Sequence, residues 1–196
     1  MSDTAPRRAS EGDRDAPEGA AGPVSLDVAL VERARRGDRA AFGRLHTRFA
    51  RMVHAILLGR VPRREADDLV QDVFVDALGK IDTLREPAAF GGWLAMIARN
   101  RATDFLRARR ETAELPEELA GGAGAGAGAA LEASRALAAI RALPEAYRET
   151  LLMRLVEGMS GPEIAAQSGL KPDSVRVNLC RGLAMLREKL EVEKGP

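Results

Sequence analysis

The sequence predicts an all-α fold of two small helical domains joined by a flexible linker, on three observations. Apolar residues recur at helical spacing in segment after segment, and no stretch alternates as a half-buried strand does. A run of glycine and alanine over 120–130 (Ala-Gly-Gly-Ala-Gly-Ala-Gly-Ala-Gly-Ala-Ala) divides the chain. The 196 residues suffice for one large domain or two small ones. The boundaries read as an N-terminal extension at 1–24, a first domain at 25–111, the linker at 112–130 and a second domain at 131–196.

Taken in order, residues 1–24 are rich in Ala, Gly, Pro, Arg, Asp and Glu. Having hardly any large apolar side chain, they cannot offset their ordering entropy and are expected to be disordered. Helices are expected near 26–36, 39–58, 63–79, 90–110, 132–141, 145–157, 161–167 and 172–191, with Asp38, after Gly37, placed to cap the second. About 17 linker residues of this composition have an r.m.s. span of roughly 20–25 Å and reach about 60 Å when fully extended. That reach lets two domains touch one duplex at separated sites.

In the segment Arg64–Leu78, one stripe is apolar (Leu69, Val70, Val73, Phe74, Ala77, Leu78) and another acidic. Asp68, Asp72 and Asp76 follow one another at four-residue steps, flanked by Asp67 and Gln71. Like charges at that spacing cost an isolated helix a few tenths of a kcal/mol per pair. The ridge therefore reads either as a docking face for a basic partner or as a solvated face. A divalent-metal site is the poorer reading, because no His or second carboxylate cluster converges on it.

In Phe90–Arg110, the residues Trp93, Leu94, Ile97, Ala98 and Phe105 share one face, and Arg99, Asn100, Thr103, Arg107 and Arg110 share the other. Charges interleaved with Asn and Thr suit a nucleic-acid backbone with some base contact. Trp93 could stack on an unpaired base, but its phase favours the core. Arg101 falls on the apolar side, where only a snorkelling stem accounts for it.

The C-terminal stretch spells out a helix-turn-helix. Ser160 and Glu163 have capping-box spacing, Gly158 stops the helix before, and Gly169 supplies the positive φ that ends the short helix. Pro172 fits a first helical position. On the last helix Val175, Leu179, Leu183, Leu186 and Leu190 cluster on one side. Ser174, Val177, Asn178 and Arg181 lie opposite, with Arg176 on the flank. The bland alternative is a solvated surface helix; the capped turn before it favours entry into a DNA major groove. There Arg suits guanine or phosphate, Asn suits adenine, and Val177 could meet a thymine methyl.

Whole-chain charge says little, with 30 Lys+Arg against 29 Asp+Glu. Its distribution says more, because residues 26–112 hold seventeen basic and twelve acidic groups and 99–110 hold five Arg against one Asp. That is a local basic patch. The single Cys180 forbids an internal disulfide and fits a reducing compartment; it reads as a passive thiol or, if Arg176 or Arg181 stabilised a thiolate, a redox switch. No apolar run approaches the roughly 18 residues of a membrane span, so a cytoplasmic protein is expected. His46 and His54, eight residues apart, lack the further ligands a zinc site needs.

These residues together carry a resemblance. Asp-Asp-Leu-Val-Gln-Asp at 67–72, then Phe-x-x-Trp-Leu-x-x-Ile-Ala-Arg-Asn at 90–100 with Asp104 and an Arg-rich end, resembles region 2 of bacterial sigma factors. The segment from Leu143-Pro-Glu to Leu186-Arg-Glu looks like region 4, and the pair with only a linker between them is similar to the small extracytoplasmic-function subfamily. The resemblance implies that Asp67, Asp68, Gln71 and Asp72 dock on the clamp helices of core RNA polymerase, with the polymerase flap a further partner. It implies that Arg99, Asn100, Thr103, Arg107, Arg110 and the loop at 80–92 engage and help melt the minus-ten element of promoter DNA. Ser174, Arg176, Val177, Asn178 and Arg181 would meet the minus-thirty-five element. An anti-sigma factor is a further implied partner, and no cofactor, resident metal or catalytic residue is implied. The chain departs from the usual pattern at Val177-Asn178, where Ser with Arg or Lys is commoner, and at Gly182, where Ala is usual.

Two other readings compete. A stand-alone helix-turn-helix regulator would bind duplex DNA tightly without polymerase. A Mg²⁺-dependent nuclease using Asp67, Asp68 and Asp72 would need carboxylates converging from different elements, and here they lie along one helix.

Overall fold

A computed structural model describes residues 23–112 and 127–194, and eight α-helices occur among these described residues. They are α1 (Pro23–Arg35), α2 (Arg39–Leu58), α3 (Arg63–Lys80), α4 (Phe90–Thr112), α5 (Ala127–Arg141), α6 (Glu145–Leu155), α7 (Gly161–Ser168) and α8 (Pro172–Lys194). No strand occurs among the described residues. The start signals read from the sequence are present. Asp38 accepts the Ala41 amide at 2.9 Å and opens α2. Ser160 and Glu163 form a reciprocal capping box, and Gly169 closes α7 at φ 75°. The expected loop at 80–92 is instead two single 3₁₀ turns, Ile81–Thr83 and Pro87–Ala89, followed directly by α4.

Two boundaries move. Pro23 and Val24, expected in the disordered extension, form the first turn of α1, where proline's fixed φ suits a helix start. Residues 127–130, expected in the linker, are the first turn of α5. Alanine is the best helix former and outweighs the lone glycine there. The rest of both expectations, 1–22 and 113–126, lies outside the described residues.

Helix α2 is the hub. Leu45, Phe49, Met52, Val53 and Ile56 are almost wholly buried, and α3 and α4 close over them with Val73, Phe74, Phe90, Leu94 and Ala98. Phe49 meets Phe90 edge to face with ring centroids 5.1 Å apart, and Trp93, half-buried, leans on Phe90 at 5.8 Å. Leu78 departs from its expected apolar stripe. It is 47% exposed, beside Val75 at 70%. Both fall on the acidic face, because seven residues bring Leu78 back over Gln71.

In the second unit α6 lies on α8. Gly182 is buried there because a Cβ would sit 3.1 Å from Leu151 Cδ1 and 3.2 Å from Tyr147 Cβ. The departure at 182 thus serves a close helix crossing.

The sequence reading separated the two units; the structure packs them together. α2 contacts α6 and α7, α4 contacts α7, and buried side chains of both units form one continuous cluster. Arg141 donates to the carbonyls of Leu58 and Val61 at 2.9 and 2.7 Å, and Arg148 donates to that of Gly59 at 3.1 Å. These are orphan carbonyls just past α2, where cations also meet the negative end of the helix dipole. His54 Nδ1 lies 2.6 Å from Glu157 Oε1, and its Nε2 lies 3.1 Å from Asp67. The Glu157 hydrogen bond raises the His54 pKa above the ordinary 6.5 against the opposing effect of burial.

Two outcomes follow from this packing. Gly182→Leu keeps helix propensity high but overpacks the α6–α8 crossing, and should lower stability by about 1–3 kcal/mol in thermal melts. Because folding raises the His54 pKa, its stabilisation is complete below 6.5 and is lost as pH climbs through the higher folded value. His54→Gln should flatten the fall in melting temperature across that window, and an unaltered slope would contradict the assignment.

Candidate nucleic-acid interface

The recognition element is built by local rules. The αL turn at Gly169 aims the chain into α8, whose first turn opens with Pro172 and Asp173. Val175 is buried and Leu179, Leu183 and Leu190 are partly so, which fixes the helix's rotation. That rotation leaves Ser174, Arg176, Val177 and Arg181 exposed on the outer face. Arg176 is nearly free, its only close carboxylate among the described contacts being Asp173 at 3.5 Å. Asn178 is different. It is half-buried, with Nδ2 3.5 Å from both the Ala146 carbonyl and Thr150 Oγ1 of α6. The structure therefore draws Asn178 back toward α6 rather than placing it with the other four.

On α4, Asn100, Thr103, Arg107 and Arg110 are exposed along one face, as the helical phase requires. The Thr103 hydroxyl donates to the Arg99 carbonyl at 2.9 Å. Arg99 itself is engaged. Its Nε and Nη2 grip the two carboxylate oxygens of Glu149 at 3.1 and 2.7 Å, a bidentate fork. That hydrogen bonding raises the Arg99 pKa further, against the effect of burial. Arg60 holds the same carboxylate at 2.6 Å.

Glu149 was not singled out by sequence reasoning. Its only signal is phase, since it shares a helix face with buried Leu152 and Met153. A carboxylate in that register needs a cation, but nothing local could show that the cation comes from α2 and α4.

The acidic ridge of α3 splits. Asp68 and Gln71 face solvent. Asp67 is also exposed but lies beside His54, and Asp72 accepts from Arg101 Nη2 at 2.6 Å. Arg101, unexplained by the helical wheel, is thus the clamp between α4 and the ridge. The hydrogen bond that Arg101 donates to Asp72 raises the Arg101 pKa. Exposed Val75 and Leu78 extend the stripe 68–71–75–78 with apolar surface that the sequence reading missed.

The two histidines do not act together. His46 stacks on Phe74 with centroids 4.3 Å apart, while His54 serves the ion pairs above. Among the described residues no group of three or more His, Cys, Asp or Glu is placed to hold a metal ion. Cys180 is exposed on α8.

Comparisons agree with this arrangement. Sigma-70 region 2 matches residues 45–112 and Sigma-70 region 4 matches residues 134–186. The RNA polymerase sigma factor NccH of Alcaligenes xylosoxydans xylosoxydans is 32% identical, over 85% of this chain and 96% of that protein. The ECF RNA polymerase sigma-E factor of Escherichia coli K12 is 29% identical, over 84% and 94%. A solved structure of CnrH in complex with the cytosolic domain of CnrY superposes with a TM-score of 0.57 at 30% identity, covering 85% of this chain and 98% of that one. Helical architecture, the order of the two matched regions and near-full-length similarity converge on one conclusion: this chain belongs to the extracytoplasmic-function group of the sigma-70 family of RNA polymerase sigma factors.

Proposed function

We propose a division of labour among the surfaces of this sigma factor, which directs core RNA polymerase to promoters. Asp67, Asp68, Gln71 and Asp72 form the polymerase-docking ridge, with Val75 and Leu78 adding apolar contact. Arg99, Asn100, Thr103, Arg107 and Arg110 engage the opened strand at the minus-ten element. Ser174, Arg176, Val177 and Arg181 read the upstream element, with Asn178 secondary because it is turned toward α6. The observation that carries this reading is the outward face of the capped helix-turn-helix behind a region 2 match.

Further parts of the reading extend to partners and place. The chain performs no catalysis of its own and takes neither cofactor nor resident metal, and its region 4 also meets the polymerase flap. It works in the cytoplasm; no described helix is long and apolar enough to cross a membrane. The structure of CnrH with the cytosolic domain of CnrY supports a protein partner for this chain too, of the anti-sigma kind. The nuclease alternative is disfavoured because Asp72 is tied to Arg101 and Asp67 lies at His54.

Run-off transcription with purified core polymerase over a pool of random promoters tests the reading as a whole. Core-dependent transcripts are expected; tight duplex binding by the protein alone, with none, would favour the stand-alone regulator. Replacing Asp68 and Gln71 together with Ala should abolish association with core enzyme and leave helix content unchanged. Arg181→Ala should cost about 1–3 kcal/mol of upstream discrimination and reduce the salt slope by about one; an unchanged footprint would move the readout elsewhere.

A further inference from the structure

A cleft of about 610 Å³ lies among α1, α2 and α7, and it shares no residue with the surfaces assigned above to polymerase or promoter. That volume is in the range of small-molecule sites. Hydrocarbon comes from Leu26 and Leu30, one turn apart on α1, and from Pro162 and Ala166 of α7. Leu26 is 37% exposed, a large apolar side chain left partly bare. Charge comes from α2, whose Arg44, Arg48 and Arg51 recur at helical spacing along one face. Two of the three are already answered. Arg48 Nε lies 2.6 Å from Asp27, and Arg51 Nη2 lies 3.3 Å from Glu163. Among the described residues the Arg44 guanidinium meets no carboxylate. Gln167 completes the lining. It is only 5% exposed, and its side-chain oxygen finds no hydrogen-bond partner among the described residues.

We propose that this cleft binds a small amphipathic organic anion. Its apolar body rests on Leu26, Pro162 and Ala166, its one negative group meets Arg44, and a hydroxyl or N–H donor reaches Gln167. Each part of that description answers a feature of the lining. One unanswered guanidinium calls for a single negative charge, and the Glu163 carboxylate in the wall repels a second. A neutral hydrocarbon would strip water from Arg44 and return nothing for it. A nucleic-acid strand would bring many charges to a place with one cation to spare. The donor follows from Gln167, because a buried acceptor without a partner costs free energy that a donor recovers. The last torsion of a glutamine is soft, so a turn of the amide presents that oxygen to the cleft. An occupant touches helices from both halves of the chain. Binding the folded chain and not the unfolded one, it raises the melting temperature as its concentration rises.

The test titrates the full chain with a toluidinonaphthalene sulfonate whose sulfonate and N–H stand at opposite ends of its rings. Fluorescence should show one saturable site, and the same amine without its sulfonate should bind about tenfold more weakly. Arg44→Ala should cost a similar factor. Ala166→Trp fills the cleft from an exposed wall and should abolish binding. Gln167→Leu should weaken the probe severalfold and leave octanoate, which has no N–H, unaffected. Octanoate should displace the probe; inorganic phosphate, lacking an apolar body, should not. Absence of a saturable site overturns the proposal. So does equal binding of the uncharged amine, displacement by phosphate, or indifference to Arg44→Ala. Loss of binding on replacing Val75 and Leu78 with Ser would move the probe to α3 and overturn it too. An unchanged titration with Gln167→Leu would overturn the donor contact. Arg44 and Ala166 are exposed, so circular dichroism of both variants should match the parent; should Ala166→Trp lose helix content, Arg44→Ala alone decides.

Discussion

One carboxylate sets the relation between the halves of this molecule. Glu149 lies on a buried helix face, and a charge there is tolerated only while cations surround it. Arg60, 12% exposed, and the bidentate fork of Arg99 supply them from the neighbouring region. Around this centre α2 offers its terminal carbonyls to Arg141 and Arg148, and His54 reaches Glu157. Polar groups that would otherwise face water or remain orphaned are thus satisfied across one surface. The apolar cluster then runs on through it without a break.

Most of the fold was legible because its signals are local. Capping residues, positive-φ glycines and helical phase act within a few positions, and they mark the helix bounds from Asp38 to Pro172. What was not legible depends on distance along the chain. Arg101 looked misplaced on its wheel because its partner Asp72 lies 29 residues earlier. Glu149 looked unremarkable because Arg60 is 89 residues away and Arg99 is 50. Gly182 stood out only as a departure from the usual alanine until the crossing against Leu151 and Tyr147 gave it a purpose.

The candidate surfaces divide the same way. Four of the five outer residues of α8 face solvent as their phase requires, whereas Asn178 is captured by an α6 carbonyl that no wheel could show. On α3 the polar half of the stripe was readable from its carboxylates. Its apolar half was misassigned because Leu78 sits at the edge of the hydrophobic arc, where small differences in helix rotation decide burial.

That apolar half has a consequence for the protein in solution. Val75 and Leu78 stand bare beside a row of like charges, so copies of the free chain are kept apart on this face by mutual repulsion acting over roughly 10 Å at 0.1 M salt. In concentrated salt the repulsion is screened while burial of hydrocarbon grows more favourable. The same strip that greets a partner in dilute buffer then becomes the place where the protein clings to itself, and colloidal stability at high ionic strength hinges on whether something already covers it.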